Sequence, residues 1–315
     1  MSVSMRNAFG HFSEIYRKAN GYKLMASWKI GIIGGSGLET IDALEDPKWI
    51  TVHTPWGEPS DQLLTGRIGS IEFVFLPRHG RGHRLSPTDV NARANIDALK
   101  RTGCTDIVAI SAVGSLREEI VPGNFVVVDQ FIDRTFAREK SFFGSGMVAH
   151  VSMADPTCPR LSKLCVDAAS AAGAEVTHGG AYLAMEGPQF SSRAESLLYR
   201  QWNCDVIGMT AMPEAKLARE AELPYALVGM VTDYDCWRVG EDAVDVASVI
   251  AQLMANAEIG RQLVVHLAHL LPTERQPSPV DIVLDLAVIT SPAARDPALL
   301  AKLDAVCARF TAAQR

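Results

Sequence analysis

No stretch of the sequence reaches the roughly 18 consecutive apolar residues of a membrane-spanning helix, so we expect no transmembrane segment and no membrane partner. The N-terminus lacks the apolar core of a secretory signal peptide. The formal net charge is only −6, which argues against a general nucleic-acid binder but leaves room for a local basic pocket.

The six cysteines are scattered along the chain, and none of them forms a Cys-x-x-Cys pair. Most lie within helix or strand patterns or beside aromatic residues, which is typical of buried, reduced thiols. Reduced thiols indicate a reducing compartment, so we expect the protein to be cytoplasmic.

The chain divides into three parts. Residues 1–27 begin with a polar stretch without periodicity, and we expect them to form a mobile N-terminal extension. Strand and helix patterns alternate through residues 28–271, which predicts an α/β fold with helices on both faces of a sheet. Residues 272–315 begin with three closely spaced prolines, Pro272, Pro277 and Pro279, followed by two weak helical segments, and are predicted to be a C-terminal appendage.

The periodicity of residues 28–271 gives the predicted elements. Ser86 is expected to cap a helix that begins at Pro87 and that Gly103 ends, and residues 134–160 are expected to form a long irregular loop. Strands are predicted at 49–54, 62–67, 71–77, 106–112, 124–132, 176–185, 205–209 and 225–232. Further helices are predicted at 159–172, 193–202, 213–221 and 243–271.

A glycine-rich loop, Gly34-Gly35-Ser36-Gly37, follows the first apolar strand. Its glycines would let a ligand approach main-chain N–H groups, and Ser36 adds a hydroxyl. A dinucleotide fingerprint needs a third glycine or alanine where Thr40 stands, and no Gly-Lys-Ser/Thr of a Walker motif follows. The loop alone therefore leaves two interpretations open, a structural turn or a phosphate contact.

Three more strand ends carry groups that suit a tetrahedral oxyanion: Arg78-His79, Ser111-Ala112 and Thr210. Arg78 and His79 open a basic loop that could be a solvated run of charges. Its position directly after a buried strand favours anion binding.

A fifth strand end carries Asp233 and Asp235, which point the same way at β spacing. They could be metal ligands or part of a solvated turn, but no third carboxylate with ligand spacing lies nearby, and we expect no metal. On the long C-terminal helix, Val246, Val249 and Ile250 share one face, either as core packing or as the lining of a pocket.

Several linked motifs occur in a fixed order: Ile33–Leu38, Arg78–Arg81, Gly114–Glu119, Asp129–Thr135, Glu186–Glu195 and Thr232–Trp237. Together, over roughly residues 28–270, they resemble the S-methyl-5′-thioadenosine phosphorylases of the trimeric purine nucleoside phosphorylase family. The resemblance implies a single domain with a central twisted mixed β-sheet flanked by helices, and a homotrimer. It implies a reaction of methylthioadenosine with inorganic phosphate as co-substrate and no cofactor, which releases adenine and 5-methylthioribose 1-phosphate.

The resemblance also implies roles for individual residues. Met209 would pack against the ribose, and His150 would reach into a neighbouring subunit's site. Gly208 stands where a family member carries asparagine. The phosphate ligands would be Ser36, Arg78, His79, Ser111, Ala112 and Thr210. The purine contacts would be Phe190, Ser191, Asp233 and Asp235.

The chemistry of N-glycosidic cleavage agrees with these roles, because the leaving purine needs a proton or a strong hydrogen bond at N7. A carboxyl group buried beside another one tends to have a raised pKa and can supply that proton. We expect Asp233 to be this acid, with Asp235 as the alternative. A carboxylate at Asp233 favours the 6-amino group of adenine, and an apolar face at Val246, Val249 and Ile250 would suit a methylthio group.

Three other functions fit the sequence less well. A phosphorylase acting on methylthioinosine or a 6-oxopurine nucleoside is disfavoured by Asp233, since such enzymes typically place asparagine there. An NAD-dependent oxidoreductase is disfavoured by the incomplete glycine motif. A non-catalytic nucleoside-binding protein would not need both the acidic pair and a phosphate cradle.

Overall fold

The structure, a computed structural model, describes residues 27–35, 41–238 and 246–314. These residues form one mixed sheet with helices on both faces, which confirms the predicted α/β fold. None of the described helices is long and apolar enough to cross a membrane. The strands are β1 (Lys29–Gly34), β2 (Glu45–Ile50), β3 (Leu63–Ile68), β4 (Ile71–Pro77), β5 (Asp106–Ser115), β6 (Phe125–Val128), β7 (Gln130–Asp133), β8 (Val176–His178), β9 (Ala181–Ala184), β10 (Val206–Gly208) and β11 (Tyr225–Asp233). The helices are α1 (Ala92–Arg101), α2 (Pro159–Ala171), α3 (Arg193–Gln201), α4 (Ala211–Glu220), α5 (Val246–Leu270), α6 (Leu284–Ala287), α7 (Pro297–Lys302) and α8 (Ala308–Ala312), with 3-10 turns at Pro279–Ile282 and Pro292–Ala294.

Strand β5 lies at the centre of the sheet and has neighbours on both edges. The strand order is β2-β3-β4-β1-β5-β10-β9-β7, while β11 pairs with β5 and with β6, which in turn pairs with β8. Strands β4, β1, β5 and β11 are parallel, and β10 is antiparallel to β5. The carboxyl ends of the four parallel strands therefore meet at one end of the sheet.

Alternate residues of the central strands enter two different hydrophobic clusters. Ile33 packs with helices α1 and α4 on one face, whereas Ile30 and Ile32 pack with α2 and α5 on the other. Both faces of the sheet are thus buried, as expected for parallel strands. All six thiols are free and five are buried, which confirms the prediction from the cysteine pattern.

The chain after residue 271 contributes to the same core. Leu284, Leu303 and Phe310 are buried in the cluster that contains α1 and α4. The residues predicted to be an appendage therefore add a layer to the domain. Of the predicted N-terminal extension, all residues except the last lie outside the described part of the chain, and its boundary stays a prediction.

Three predicted boundaries are wrong. The strand predicted at 106–112 is β5, which continues to Ser115, so Ser111 lies within the strand and not at its end. At residues 86–91 a local turn takes precedence over the helical pattern. The Ser86 hydroxyl donates to the Asp89 carboxylate (2.6 Å) and closes a turn, and the helix begins only at Ala92, capped by the Asn91 side chain. The strand predicted at 49–54 is β2, which ends at Ile50.

The two long strands predicted at 124–132 and 176–185 are each broken into a pair. β6 and β8 pair with each other, and β7 pairs with β9. The breaks coincide at Asp129 and Gly180, where the Asp129 carboxylate accepts the Gly180 N–H (3.1 Å). Gly179 and Gly180 both have positive φ, so the chain turns there and each half finds a different neighbour.

The predicted irregular loop between β7 and α2 is confirmed, and a buried carboxylate of α4 holds it. Glu220 accepts a hydrogen bond from the Phe142 N–H and one from the Ser141 hydroxyl, both at 2.7 Å. Burial raises the pKa of Glu220 to about 7.

The substitution Glu220→Gln should flatten the pH dependence of stability. The pKa of Glu220 is higher in the folded protein than its ordinary value of 4.5, so its stabilising contribution is present below pH 4.5 and is lost as the pH rises through about 7. Glutamine stays uncharged throughout. Between pH 5 and pH 8 the wild type should lose up to about 3 kcal/mol more unfolding free energy than the variant, measured with urea.

The exposed Glu119 provides a matched control, because Glu119→Gln removes a carboxylate that is not buried. That variant should follow the wild-type pH profile. A Glu220→Gln profile that is also identical to the wild type would contradict the role given to this burial.

Candidate functional site

One edge of β5 has no strand partner over a short stretch, and this gap defines the candidate site. β1 pairs with β5 as far as Ala109, and the pairing with β10 begins at Gly114. Ser111 and Ala112 lie within the gap. In open α/β sheets, ligands bind at the carboxyl ends of strands where the strand order changes in this way.

Arg78, directly after β4, extends into the gap. Its backbone N–H donates to the Gly34 carbonyl (2.8 Å), and Nη1 and Nη2 donate to the carbonyls of Ile110 and Ile33 (both 3.3 Å). Nε and Nη2 donate to the two carboxylate oxygens of Glu214, at 2.9 and 3.2 Å. These contacts use four of the five guanidinium N–H groups, so one is left for a ligand.

Glu214 is a functional residue that the sequence reasoning missed. It lies on α4, is 3% exposed, and also accepts a hydrogen bond from the Tyr225 hydroxyl (2.8 Å). The sequence did contain one signal for Glu214. It lies at helical spacing from the apolar residues Leu217 and Ala218 of α4 and Ala221 just after it, and a carboxylate buried on such a face requires a partner.

Two hydroxyl oxygens at the site are buried and make no well-formed hydrogen bond to the described residues: Ser111 Oγ and Thr210 Oγ1. The Tyr182 hydroxyl lies close enough to the Thr210 side chain for a weak contact. Thr210 precedes α4, and its side chain makes no capping bond to the helix. Buried polar groups are nearly always paired, so hydroxyls left unpaired beside the gap are suited to hydrogen bonding with a ligand. Ser36 is the third hydroxyl that was predicted to contact a phosphate, and it lies outside the described residues.

His79 is buried next to Arg78, and its tautomer is fixed. Nδ1 lies 3.0 Å from the Leu85 carbonyl oxygen, which can only accept, so Nδ1 carries the proton of the neutral ring. Burial and then the Arg78 charge lower the pKa of His79 to about 4. The ring stacks on that of His83, with 4.3 Å between the centroids.

The rest of the basic loop turns away from the gap. Arg81 pairs with the Asp61 carboxylate (2.7 Å), and Arg84 donates to the Ser60 carbonyl. Of the clustered arginines in this loop, the structure places only Arg78 in the gap.

The acidic pair follows an irregularity in β11. The β5–β11 register shifts between Val231 and Asp233, which brings Asp233 opposite Gly114. Gly114 has no side chain to obstruct this approach, since a Cβ there would lie 2.8 Å from Asp233 Oδ1. Asp233 Oδ2 accepts the Thr232 hydroxyl and Oδ1 accepts the Asp235 N–H, both at 2.7 Å.

Asp235 lies just beyond the strand in the left-handed backbone region, with φ of 53°, which is uncommon for a residue other than glycine. Its Oδ2 is buried and makes no well-formed hydrogen bond among the residues described, although the side chains of Ser196 and Ser191 lie close enough to act on this carboxylate. Burial raises the pKa of both Asp233 and Asp235. The predicted acidic pair therefore has one carboxylate held by strong hydrogen bonds and one with only weak contacts to the protein.

A loop from Glu186 to Ser192 lies beside the acidic pair. The Cys236 thiol donates to the Ser191 carbonyl (3.1 Å), which ties this loop to the end of β11. Met209 crosses the loop at Gly187, where a Cβ would collide with the Met209 sulfur. Phe190 is 42% exposed, which leaves its ring available to a ligand.

Arg138 connects the two halves of the site, and the sequence reasoning did not assign it a role. Nη1 donates to the carbonyls of Met209 (2.6 Å) and Met212 (2.7 Å), on either side of Thr210. Nε donates to the Glu186 carboxylate (2.8 Å). Burial alone would raise the pKa of Glu186, but the hydrogen bonds from Thr88 and Arg138 outweigh burial and lower this pKa to about 2. One buried arginine thus positions both the Thr210 turn and the start of the 186–192 loop.

The remaining predicted residues lie on α5 and on the long loop. On α5, Val249 is half-buried and Ile250 is 49% exposed, so Ile250 is not part of a packed core; the side chain of Val246 lies outside the described residues. His150 is exposed on the long loop, with its N–H donating to the Ala287 carbonyl (2.9 Å). Their roles stay predictions.

The chain is similar to proteins of known name along most of its length. The sequence profile of the phosphorylase superfamily matches residues 29–268. A Cereibacter sphaeroides protein named S-methyl-5′-thioadenosine phosphorylase is 63% identical over 282 residues, which is 89% of this chain and 97% of the relative. A Bradyrhizobium diazoefficiens protein of the same name is 56% identical over the same share of each chain.

Solved structures agree with the sequence relatives. A methylthioadenosine phosphorylase sourced from an antarctic soil metagenomic library has a TM-score of 0.85 and 44% identity, covering 90% of this chain and 99% of that one. The methylthioadenosine phosphorylase of Schistosoma mansoni in complex with adenine has a TM-score of 0.75 and 35% identity, covering 91% and 99%. The chain therefore belongs to the phosphorylase superfamily and, within it, to the S-methyl-5′-thioadenosine phosphorylases.

Proposed function

We propose that the protein catalyses the phosphorolysis of S-methyl-5′-thioadenosine to adenine and 5-methylthioribose 1-phosphate, a step of purine and methionine salvage. The observation that carries this proposal is the pair of unpartnered buried hydroxyls, Ser111 and Thr210, close to a buried acidic pair on the neighbouring strand. Hydroxyl donors suit phosphate, and the acidic pair suits a purine. Membership of the family supports the same reaction.

The phosphate occupies the gap along β5. The hydroxyls of Ser111 and Thr210, the remaining N–H of Arg78 and the backbone at Ala112 hold its oxygens, with Ser36 and His79 completing the site. The phosphate is the nucleophile at C1′ of the ribose, and its negative charge stabilises the oxocarbenium character that develops there. The protein mainly fixes the attack geometry, which alone can contribute several kcal/mol.

The acidic pair acts on the purine. As the C1′–N9 bond breaks, negative charge develops on the base, and protonation of N7 by Asp233 neutralises it. Burial raises the pKa of Asp233, which favours the protonated form that a proton donor needs. Asp235, whose Oδ2 makes no strong hydrogen bond within the described protein, accepts from the 6-amino group and is the alternative acid.

The other predicted residues complete the substrate pocket. Phe190 and Ser191 flank the purine, and Met209 packs against the ribose. Val246, Val249 and Ile250 line the apolar region that receives the methylthio group, which the partial exposure of Ile250 supports. A nucleoside with a 5′-hydroxyl would leave that polar group unpaired.

Purified protein should release adenine from methylthioadenosine only when phosphate is present. The rate can be followed by chromatography of the free base with and without phosphate. Methylthioinosine and inosine serve as competing substrates, and much faster release of hypoxanthine from either would overturn the choice of base. Cleavage without phosphate would overturn the mechanism.

The substitution Asp233→Asn should lower kcat for methylthioadenosine by about 10²- to 10⁴-fold, since it removes the proton donor. Asp235→Asn is the matched variant and should mainly raise KM for the nucleoside. The assignment is tested by comparing both parameters in the two variants. If Asp233→Asn keeps the wild-type kcat while Asp235→Asn loses it, the acid is Asp235.

We further propose a homotrimer in which His150 enters a neighbouring subunit's site. Three large apolar side chains are strongly exposed on segments near His150 or at the start of its loop, which supports an interface there. They are Phe136 (82%), Leu286 (97%) and Ile289 (65%). The six free thiols support the prediction of a reducing, cytoplasmic environment.

Complementation tests the shared site. His150→Ala and Asp233→Asn should each be weakly active alone, but co-expressed chains should regain about a quarter of wild-type activity, because random cyclic trimers pair an intact Asp233 with an intact neighbouring His150 at that frequency. Native mass should equal three chains. No gain over the separate variants would contradict the shared site.

A further inference from the structure

One face of helix α3 is buried against the segment that follows β11. Ser196, Tyr199 and Arg200 share this face at helical spacing, and the first two are buried. Tyr199 belongs to the same hydrophobic cluster as Trp237, and the Arg200 guanidinium stacks on the Trp237 ring, with Cζ 3.5 Å from the ring centroid. These contacts fix the helix against the end of β11, and Ser196 lies near the start of this helix.

The Ser196 hydroxyl has no part in capping the helix. The capping box of α3 is formed by Ser192 and Glu195, whose side chains accept from each other's backbone N–H groups at 3.3 and 2.8 Å. Ser196 Oγ is fully buried and makes no well-formed hydrogen bond to the described residues. Buried hydroxyls are nearly always paired, so this one requires an explanation.

Two polar side chains of the segment after β11 lie within reach of this hydroxyl, the Asp235 carboxylate and the Cys236 thiol. The thiol already donates to the Ser191 carbonyl (3.1 Å), and its sulfur is only a weak acceptor. The Ser191 hydroxyl also lies near Asp235, but it donates to the Met185 sulfur (3.8 Å). Asp235 Oδ2 is itself buried without a well-formed hydrogen bond to the described residues. A hydroxyl donor and a carboxylate acceptor thus lie side by side, and the bond between them is the strongest available to either.

We propose that Ser196 is a positioning residue whose hydroxyl donates to the Asp235 carboxylate and keeps it ionised and oriented, so that Asp235 accepts from a purine with a 6-amino group. The inference rests on the purine site of the proposed function and gives a residue of α3 a part in the choice of base. Asp235 lies beyond the last residue of β11, where no strand pairing fixes its side chain. A donor from the neighbouring helix supplies that constraint.

The protonation state of Asp235 decides which purine it accepts. An ionised carboxylate can only accept hydrogen bonds, so it matches the N–H groups of a 6-amino purine and opposes the lone pairs of a 6-oxo group. A protonated carboxyl carries an O–H and can donate to a 6-oxo group. Burial favours the protonated form of Asp235, whereas the Ser196 hydroxyl lowers the pKa of Asp235 and opposes burial. Loss of this hydroxyl should therefore relax the choice of base.

The test compares Ser196→Ala with the wild-type protein on methylthioadenosine and methylthioinosine in the presence of phosphate. KM for methylthioadenosine should rise about 10-fold while kcat changes by less than about threefold, because the lost contact acts on binding. The ratio of kcat/KM for methylthioadenosine to that for methylthioinosine should fall about 10-fold. Ser196→Thr keeps a hydroxyl and should restore the ratio. An unchanged ratio in Ser196→Ala, or an equal loss on both substrates, would overturn the proposal.

Ser162→Ala is the matched control, because Ser162 on α2 is also a buried serine whose hydroxyl makes no well-formed hydrogen bond to the described residues. It should keep the wild-type KM and the wild-type ratio. If Ser196→Ala does not fold, Ser196→Cys takes its place, since a thiol is a weaker donor. A wild-type ratio in Ser196→Cys would then contradict the proposal. A wild-type protein that cleaves neither nucleoside would instead remove the proposed function, which distinguishes the two failures.

The pH profile gives a second readout, which a purely structural role of Ser196 would not change. The titratable groups that face Asp235 are Asp233 on β11, Glu195 and Tyr199 on α3, and the Cys236 thiol. All of them are present in both proteins, so a difference between the two profiles reports on Asp235. Without its donor Asp235 is protonated at higher pH, and kcat/KM for methylthioadenosine should begin to fall about one pH unit higher in Ser196→Ala. Identical acid limbs would contradict the donor role.

Discussion

The buried ion pair between Arg78 and Glu214 is the interaction on which the site depends. Arg78 follows β4 and Glu214 belongs to α4, so the pair fixes that helix against the strand ends. The guanidinium also binds the carbonyls of Ile33 and Ile110, which replaces the strand pairing that β1 and β5 lose there. Removing either partner would leave a buried charge uncompensated, at a cost of about 3–5 kcal/mol. The pair thus fixes the strand ends and the helix that border the gap.

This gap separates two chemical environments along one strand. On one edge of β5, Ser111 has an unpaired hydroxyl; on the other, β11 shifts register and presents Asp233 opposite Gly114. The strand thus divides a region of donors from a region of acceptors. In the proposed reaction, the phosphate would use the donors and the purine the acceptors. Arg138 stabilises both sides at once, through the carbonyls that flank Thr210 and the Glu186 carboxylate.

The sequence was sufficient for the fold class and the family, and the position of Arg78 beside the gap follows from its place directly after the parallel strand β4. Ser111 and Thr210 reach the gap in another way, from within β5 and after the antiparallel β10. The family relatives confirm the resemblance drawn from the motifs. Glu214 and Arg138 could not be assigned in this way, since their partners are 136 and 48 residues away in sequence. The expectation that Asp233 and Asp235 point the same way at β spacing was also incomplete. β11 ends at Asp233, and Asp235 itself has a left-handed backbone conformation that sets the direction of its side chain. The strand break at Gly180 could not be predicted either, because it depends on the pairing of β8 with β6 and of β9 with β7 in the folded sheet.

The side of the site near residue 208 shows how a missing side chain can be replaced from elsewhere in the fold. Gly208 stands where a family member carries asparagine, and a Cβ there would collide with the hydroxyl of Tyr182. Tyr182 comes from β9, which pairs with β10, and its hydroxyl accepts the Thr210 N–H (3.3 Å). The tyrosine therefore occupies the volume that a side chain at 208 would fill and supports the turn that carries the Thr210 hydroxyl. Glycine at 208 and tyrosine at 182 form one coupled feature, so an asparagine could be introduced at 208 only together with a smaller residue at 182.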